Sequence, residues 1–123
     1  QLSLPFIYVH PTPKDHGLEN QIEGDLRPRQ SVVLIENQVN VGNNCLKVVE
    51  ALRNNGCKVL GIVTIFDYGL PTTYKKFEKA EVDLTALTDF ETVLRHAENL
   101  EIITHEQSKQ LHAWQRKPSK WTK

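Results

Sequence analysis

The sequence predicts an α/β protein, a parallel sheet of about four strands with helices on both faces. Two observations carry that expectation. Apolar runs at 5–9, 31–36 and 58–66 are continuous rather than alternating, the pattern of strands buried on both faces. Between and after them, apolar residues recur at helical spacing, with capping residues or glycine at the boundaries.

PFIYV (5–9) is rich in β-formers and predicts a short buried strand, whereas 10–30 carries prolines, glycines and many charges and predicts a long exposed arm. Structureless loops longer than about 12–15 residues are uncommon in compact domains and are often functional, so the arm is a site candidate by length alone. SVVLIE (31–36) predicts a second strand. Leu46, Val48, Val49 and Leu52 predict a helix over 44–55, with Gly56 placed where a left-handed residue ends it. KVLGIVTIF (58–66) is a third strand, DYGLPTT (67–73) breaks it, and a helix is expected over about 72–80. VDLTAL (82–87) alternates like a short strand. Asp89 is placed to cap a helix reaching about 98, and Thr104 with Gln107 forms a capping box for a last helix to about 114.

With 123 residues the chain is one domain's worth, large enough for a modest core. Fifteen basic and fifteen acidic residues cancel, so net charge suggests neither a nucleic-acid partner nor an anionic membrane. The apolar run at 59–66 is far shorter than the roughly 20 residues of a membrane span, and the expectation is a soluble chain. Cys45 and Cys57 have no metal-ligand spacing and read as reduced structural thiols, which suits the cytoplasm. The absence of methionine and the Gln at position 1 predict that a segment precedes residue 1.

The chemistry is expected where the 31–36 strand meets the next helix. A strand, a short polar turn and a helix N-terminus aim free backbone N–H groups at an anion, and in parallel sheets ligands bind beyond the carboxyl ends of strands. Glu36 and Asn37 fall there. Elsewhere, His96, His105 and His112 share no ligand spacing, and no protein-held metal site is expected. Trp114 and Trp121 are expected to anchor the tail or a subunit contact, and Asp67 lies near the expected site. No GxSxG, HExxH, GxxxxGK[ST] or GxGxxG pattern is present.

IYVHPTPKDHGLENQIEG, VVLIENQVNVGNNCLKVVEALRNNG, VLGIVTIFDYGLP and the closing LHAWQRKPSKW, taken in order, resemble the later part of the orotate phosphoribosyltransferases, members of the type I phosphoribosyltransferase family. That family's N-terminal hood and first strand-loop-helix have no counterpart here. The resemblance implies transfer of a phosphoribosyl group from 5-phosphoribosyl 1-diphosphate (PRPP) to orotate, giving orotidine 5′-phosphate and pyrophosphate in pyrimidine nucleotide biosynthesis. It also implies Mg²⁺ bound through the PRPP diphosphate, a dimer, and an arm that closes over the diphosphate.

Carried over residue by residue, Glu36 matches the first acid of the ribose site, while Asn37 stands where a second acid is usual and can hydrogen-bond without supplying charge. In the 5′-phosphate loop, which spans Asn40, Val41, Gly42, Asn43 and Asn44, Gly42 matches. Val41 replaces a Thr, and Asn43 and Asn44 replace small residues. On the arm, Lys14 and His16 match the catalytic Lys-x-His-Gly core, with His10 where an Arg is usual. These departures imply weaker phosphate binding, because an imidazole does not replace a bidentate guanidinium.

The domain reading is therefore a partial phosphoribosyltransferase domain over 1–123, with a mobile arm at 10–30, the phosphoribosyl site at 31–56 and a C-terminal helix and tail at 104–123. The expected ligands are PRPP and orotate. An exposed sheet edge or apolar face predicts a second copy or a complementary chain. The alternative is a phosphoribosyltransferase-like binding or interaction module without turnover.

Overall fold

A computed structural model describes residues 3–10 and 22–120. In chain order the elements are β1 (Tyr8–Val9), β2 (Ile22–Glu23), β3 (Ser31–Val39), α1 (Asn43–Asn54), β4 (Lys58–Asp67), α2 (Pro71–Lys79), β5 (Leu84–Asp89), α3 (Phe90–Asn99) and α4 (His105–Arg116), followed by a 3₁₀ turn at Pro118–Lys120. The sheet is parallel with order β3-β4-β5, and α1 and α2 make its two crossovers. Among the described residues it has three strands rather than about four.

The difference lies in the 5–9 run. Only Tyr8 and Val9 are strand, and they pair antiparallel with Ile22 and Glu23 in a separate two-stranded ribbon. Its apolar residues serve a different face: Ile7, Val9 and Ile22 pack against Val48, Leu52 and Cys57, leaving Phe6 and Tyr8 exposed. The ribbon is the base of the predicted arm, so part of 10–30 is paired rather than loop. Residues 11–21 lie outside the described residues.

Helix α1 buries Cys45, Val48, Val49, Ala51 and Leu52, the stripe its spacing predicts. It stops at Gly56, whose φ of 77° is readily reached only without a Cβ. The main core gathers Val39, Cys45, Val49, Ile62, Phe77 and Val82 between sheet, α1 and α2. The other side of the sheet is open over Val33, Ile35, Ile65 and Leu87, which are 44%, 65%, 57% and 74% exposed. This is an exposed apolar face of the kind the sequence anticipates.

At the C-terminal end, Asp89 accepts from Thr92 N at 2.7 Å, and Thr104 and Gln107 form the predicted reciprocal capping box. Tyr68, Phe90 and Trp114 pack into a small aromatic cluster, with Trp114 centred 5.6 Å from Phe90 at a tilt and 6.0 Å from Tyr68 edge-on. Trp114 thus anchors the last helix, whereas Trp121 lies outside the described residues.

Candidate functional site

The carboxyl ends of the three strands lie level, with Val39 paired to Asp67 and Asp67 to Asp89. β3 runs three residues past its predicted end, so Glu36 and Asn37 sit within the strand rather than beyond it. Alternation places Val32, Leu34 and Glu36 toward α1, then fails: Asn37 and Gln38 are both exposed and Val39 is buried. Asn37 Oδ1 accepts from the Gln38 N–H at 2.8 Å.

Glu36 is half-buried. Burial pushes its carboxyl above the usual carboxylate range, and a hydrogen bond from the Cys45 thiol opposes the rise. Burial first, then the charge of Glu36, pushes the Cys45 thiol up to about 12, so it stays protonated as a donor to the carboxylate. Cys45 is a buried, unreactive thiol of the first turn of α1, and Cys57 is likewise buried and free.

The turn over Asn40, Val41 and Gly42 is short and tightly held. Gly42 is buried with φ 73°, and a Cβ there would lie 2.7 Å from Phe77 Cε1. The residue provides no side-chain cap, and the first helical bond is Leu46 N to Gly42 O at 3.0 Å. The earlier amides of the turn, including those of Asn43 and Asn44, therefore have no intrahelical acceptor. Asn40, Val41, Asn43 and Asn44 are all exposed, so the helix start opens to solvent. An uncapped start with exposed amide side chains can take an anion.

What holds this turn comes from α2. Thr73 Oγ1 donates to Asn40 O at 2.6 Å, and Lys76 Nζ donates to Val41 O at 3.0 Å and to Asn43 Oδ1 at 2.7 Å. Sequence reasoning misses Thr73, Lys76 and Phe77, which lie some thirty-odd residues away; their 73/76/77 spacing on one helical face is the only local hint. Asp67 serves the same region as an anchor. It is buried, and accepts from Gly69 N at 2.9 Å and from the Tyr74 hydroxyl. Burial, followed by the hydrogen bond and charge of Asp67, pushes the Tyr74 phenol up to about 12.

The structure thus brings Glu36, Asn37, Asn40, Val41, Gly42, Asn43 and Asn44 into one strand-turn-helix. Lys14 and His16 lie outside the described residues. His10, at the end of β1, meets Glu23 Oε1 through Nε2 at 2.7 Å. His105 and His112 tie α4 to α3 through Glu98 and Glu91, each at 2.7 Å.

The parallel sheet with its crossover helices and the turn at the end of β3 have the fold of the type I phosphoribosyltransferases. UMP synthase of Leishmania donovani superposes on 98% of this chain, and 25% of that one, with a TM-score of 0.77 at 24% identity, a likeness of fold alone. Orotate phosphoribosyltransferase of Aeropyrum pernix superposes on 77% of the chain and 51% of its own length, with a TM-score of 0.64 at 28% identity. No family model matches the chain.

By sequence, the chain is homologous to the C-terminal part of orotate phosphoribosyltransferases over nearly all of its length. It is 46% identical over 120 residues to that of Porphyromonas gingivalis, and 41% identical over 122 residues to that of Listeria innocua. The alignments cover 98% and 99% of the chain but 57% and 58% of those relatives, so the chain spans somewhat more than half their length.

Proposed function

We propose that this chain provides the phosphoribosyl-binding part of an orotate phosphoribosyltransferase. The observation that carries the reading is the turn at 40–44: a left-handed buried glycine, an uncapped helix start, and a half-buried carboxylate in the part of β3 nearer the turn, in a chain homologous to those enzymes. In this reading the amides of Asn43 and Asn44 and the α1 backbone hold the 5′-phosphate. Glu36 and Asn37 accept and donate hydrogen bonds at the ribose hydroxyls. Lys14 and His16, on the arm carried by the β1–β2 ribbon, close over the diphosphate and balance its charge as pyrophosphate leaves.

Mg²⁺ would be held through the PRPP diphosphate, where it would supply charge neutralisation. The donor set fits a cation that rides on its ligand. Glu36 and Asn37 offer one carboxylate and one amide, and both Asp67 oxygens are engaged by Gly69 and Tyr74. The domain limits proposed are those of the sequence: arm 10–30, site 31–56, C-terminal helix and tail 104–123. A second copy or a complementary chain covers the open face of Val33, Ile35, Ile65 and Leu87, and the proposed setting is the cytoplasm. No described helix is long and apolar enough to cross a membrane.

Calorimetric titration with PRPP and Mg²⁺ tests the site without needing an orotate pocket. Saturable heat, abolished by Glu36→Ala, is the expected result; no heat breaks the reading. A second reading, a phosphoribosyltransferase-like module without turnover, is favoured by Asn37, whose carboxamide leaves Glu36 as the lone acid of this pair. Restoring Asn37→Asp and His10→Arg separates the two. A rise in orotate-dependent turnover from a measurable baseline supports the enzyme, and no turnover in either form supports the module.

A further inference from the structure

Lys76 belongs to no part of the site anticipated from sequence, yet it is the cation that reaches the turn from α2. Its ammonium spans Val41 O and Asn43 Oδ1. An ammonium only donates, so the end of the Asn43 carboxamide that faces it has to be the oxygen. With Oδ1 committed, the Nδ2 end is left to donate. A free asparagine at the first position of a helix can present either end to an incoming ligand, and only the Nδ2 end suits an anion. Thr73 on Asn40 O and Phe77 against Gly42 lock the backbone on either side. Besides its bond to Val41 O, Lys76 then sets the side-chain polarity of Asn43.

We propose that Lys76 is a positioning residue that fixes Asn43 as a hydrogen-bond donor to the phosphate group of the ligand, and that it adds a positive charge beside a turn whose own side chains are neutral. The proposal rests on the reading of the 40–44 turn as the phosphate site. It also accounts for how a loop bearing Asn43 and Asn44 in place of small residues can hold an anion. The bulkier amides are useful only if their donors face the ligand, and Lys76 sets that direction for the first of them. Thr73 and Phe77 hold the turn whatever the ligand, whereas Lys76 also selects for negative charge.

The experiment uses the whole chain with ribose 5-phosphate as the probe, comparing wild type, Lys76→Met, Lys76→Arg, Asn43→Ala and the Lys76→Met/Asn43→Ala double variant. Lys76→Met is expected to weaken binding about tenfold, the size of one charge-assisted hydrogen bond, while lowering the melting temperature only slightly because both of its bonds are exposed. Lys76→Arg should restore most of the loss. In the Asn43→Ala background, the Lys76→Met loss should shrink to the residual effect of charge, about twofold. An undiminished loss in that background, or Lys76→Met binding like wild type, overturns the proposal.

Nuclear magnetic resonance of the Asn43 side-chain amide is independent of ligand. Wild type should show an ordered NH₂ group that becomes mobile in Lys76→Met. An equally mobile group in both overturns the positioning role even if ribose 5-phosphate does not bind. An ordered group with no binding by wild type instead counts against the phosphate reading of the turn.

Discussion

The starts of α1 and of α3 and α4 solve the same problem in opposite ways. Each α-helix begins with backbone N–H groups that have no partner in the helix. Asp89 closes α3 through Thr92 N, and Thr104 and Gln107 close α4 reciprocally. Helix α1 has a glycine at that position and no side-chain cap. Its turn is instead braced from behind by Thr73, Lys76 and Phe77, whose contacts go to backbone oxygens, to the Asn43 oxygen and to the glycine face. Bracing from behind keeps the solvent side free. In the proposed reading the braced, uncapped start of α1 is left open for a ligand, whereas the capped starts of α3 and α4 have their first amides engaged by their own side chains; α2, which opens on Leu70 and Pro71, has no side-chain cap either.

The largest expected effect comes from filling the space that the brace leaves. Gly42→Ala places a methyl group 2.7 Å from the Phe77 ring, on a backbone with φ 73°. Strain and overpacking together should destabilise the chain by about 2–3 kcal/mol in chemical denaturation. Ligand binding should fall with it. If the substitution is neutral, the turn is not the tightly fitted element described, and the contrast with α3 and α4 weakens.

At a capped start the expectation differs. Asp89→Ala removes the acceptor for Thr92 N and should lower stability by about 1 kcal/mol, while leaving PRPP affinity within twofold. The pair of results separates the two kinds of helix start: one substitution changes binding and stability, the other stability alone. A marked loss of affinity in Asp89→Ala would extend the site to the end of β5, which lies level with Val39 and Asp67.

The same contrast explains what was legible in the sequence. Strands 31–36 and 58–66, the α1 stripe and both caps depend on neighbours within a few residues, and they appear close to where local patterns place them. The ribbon did not, because a run such as PFIYV reads alike whether it joins a sheet or packs its alternate residues on a helix, and its pairing with Ile22–Glu23 is a long-range choice. Glu36 and the 40–44 turn were visible as a strand-turn-helix. Lys76, Thr73, Phe77 and the thiol behind Glu36 were not, since each acts across a crossover or from the far side of a buried contact.

Glu36 offers a smaller and opposite test. Its folded pKa is raised by burial, so the protonated form is favoured in the fold. Above the usual carboxylate range the ionised group costs stability, and below that range the cost disappears. Glu36→Gln should therefore melt higher than wild type at pH 7, by under about 1 kcal/mol, and the gain should vanish near pH 4. The same variant should lose ligand affinity. A residue that lowers stability and supports binding is one retained for function, the counterpart of a cap that does neither for the ligand.

The smallest effect belongs to the C-terminal pair. His112 donates to Glu91 and to Ser108 O, and these bonds raise its pKa above the ordinary histidine value. The sign is that of a cation gaining partners. The contribution is fully present below the unfolded pKa, near 6.5, and is lost as pH rises through the higher folded value. Because the Glu91 carboxylate is largely exposed, the effect should be about 0.5 kcal/mol or less. Melting wild type and His112→Gln at pH 5.5 and pH 8.5 measures it: wild type should hold a small advantage at the lower pH that closes at the higher one, and salt should shrink it. PRPP affinity should not change between the two proteins at either pH, since among the described residues α4 reaches toward the turn at 40–44 indirectly, through the aromatic cluster and the Tyr68 and Gly69 carbonyls that Gln115 binds. If affinity does follow His112, that segment transmits the state of α4 to the ligand site, and the division between finished structure and open turn would have to be redrawn to include it.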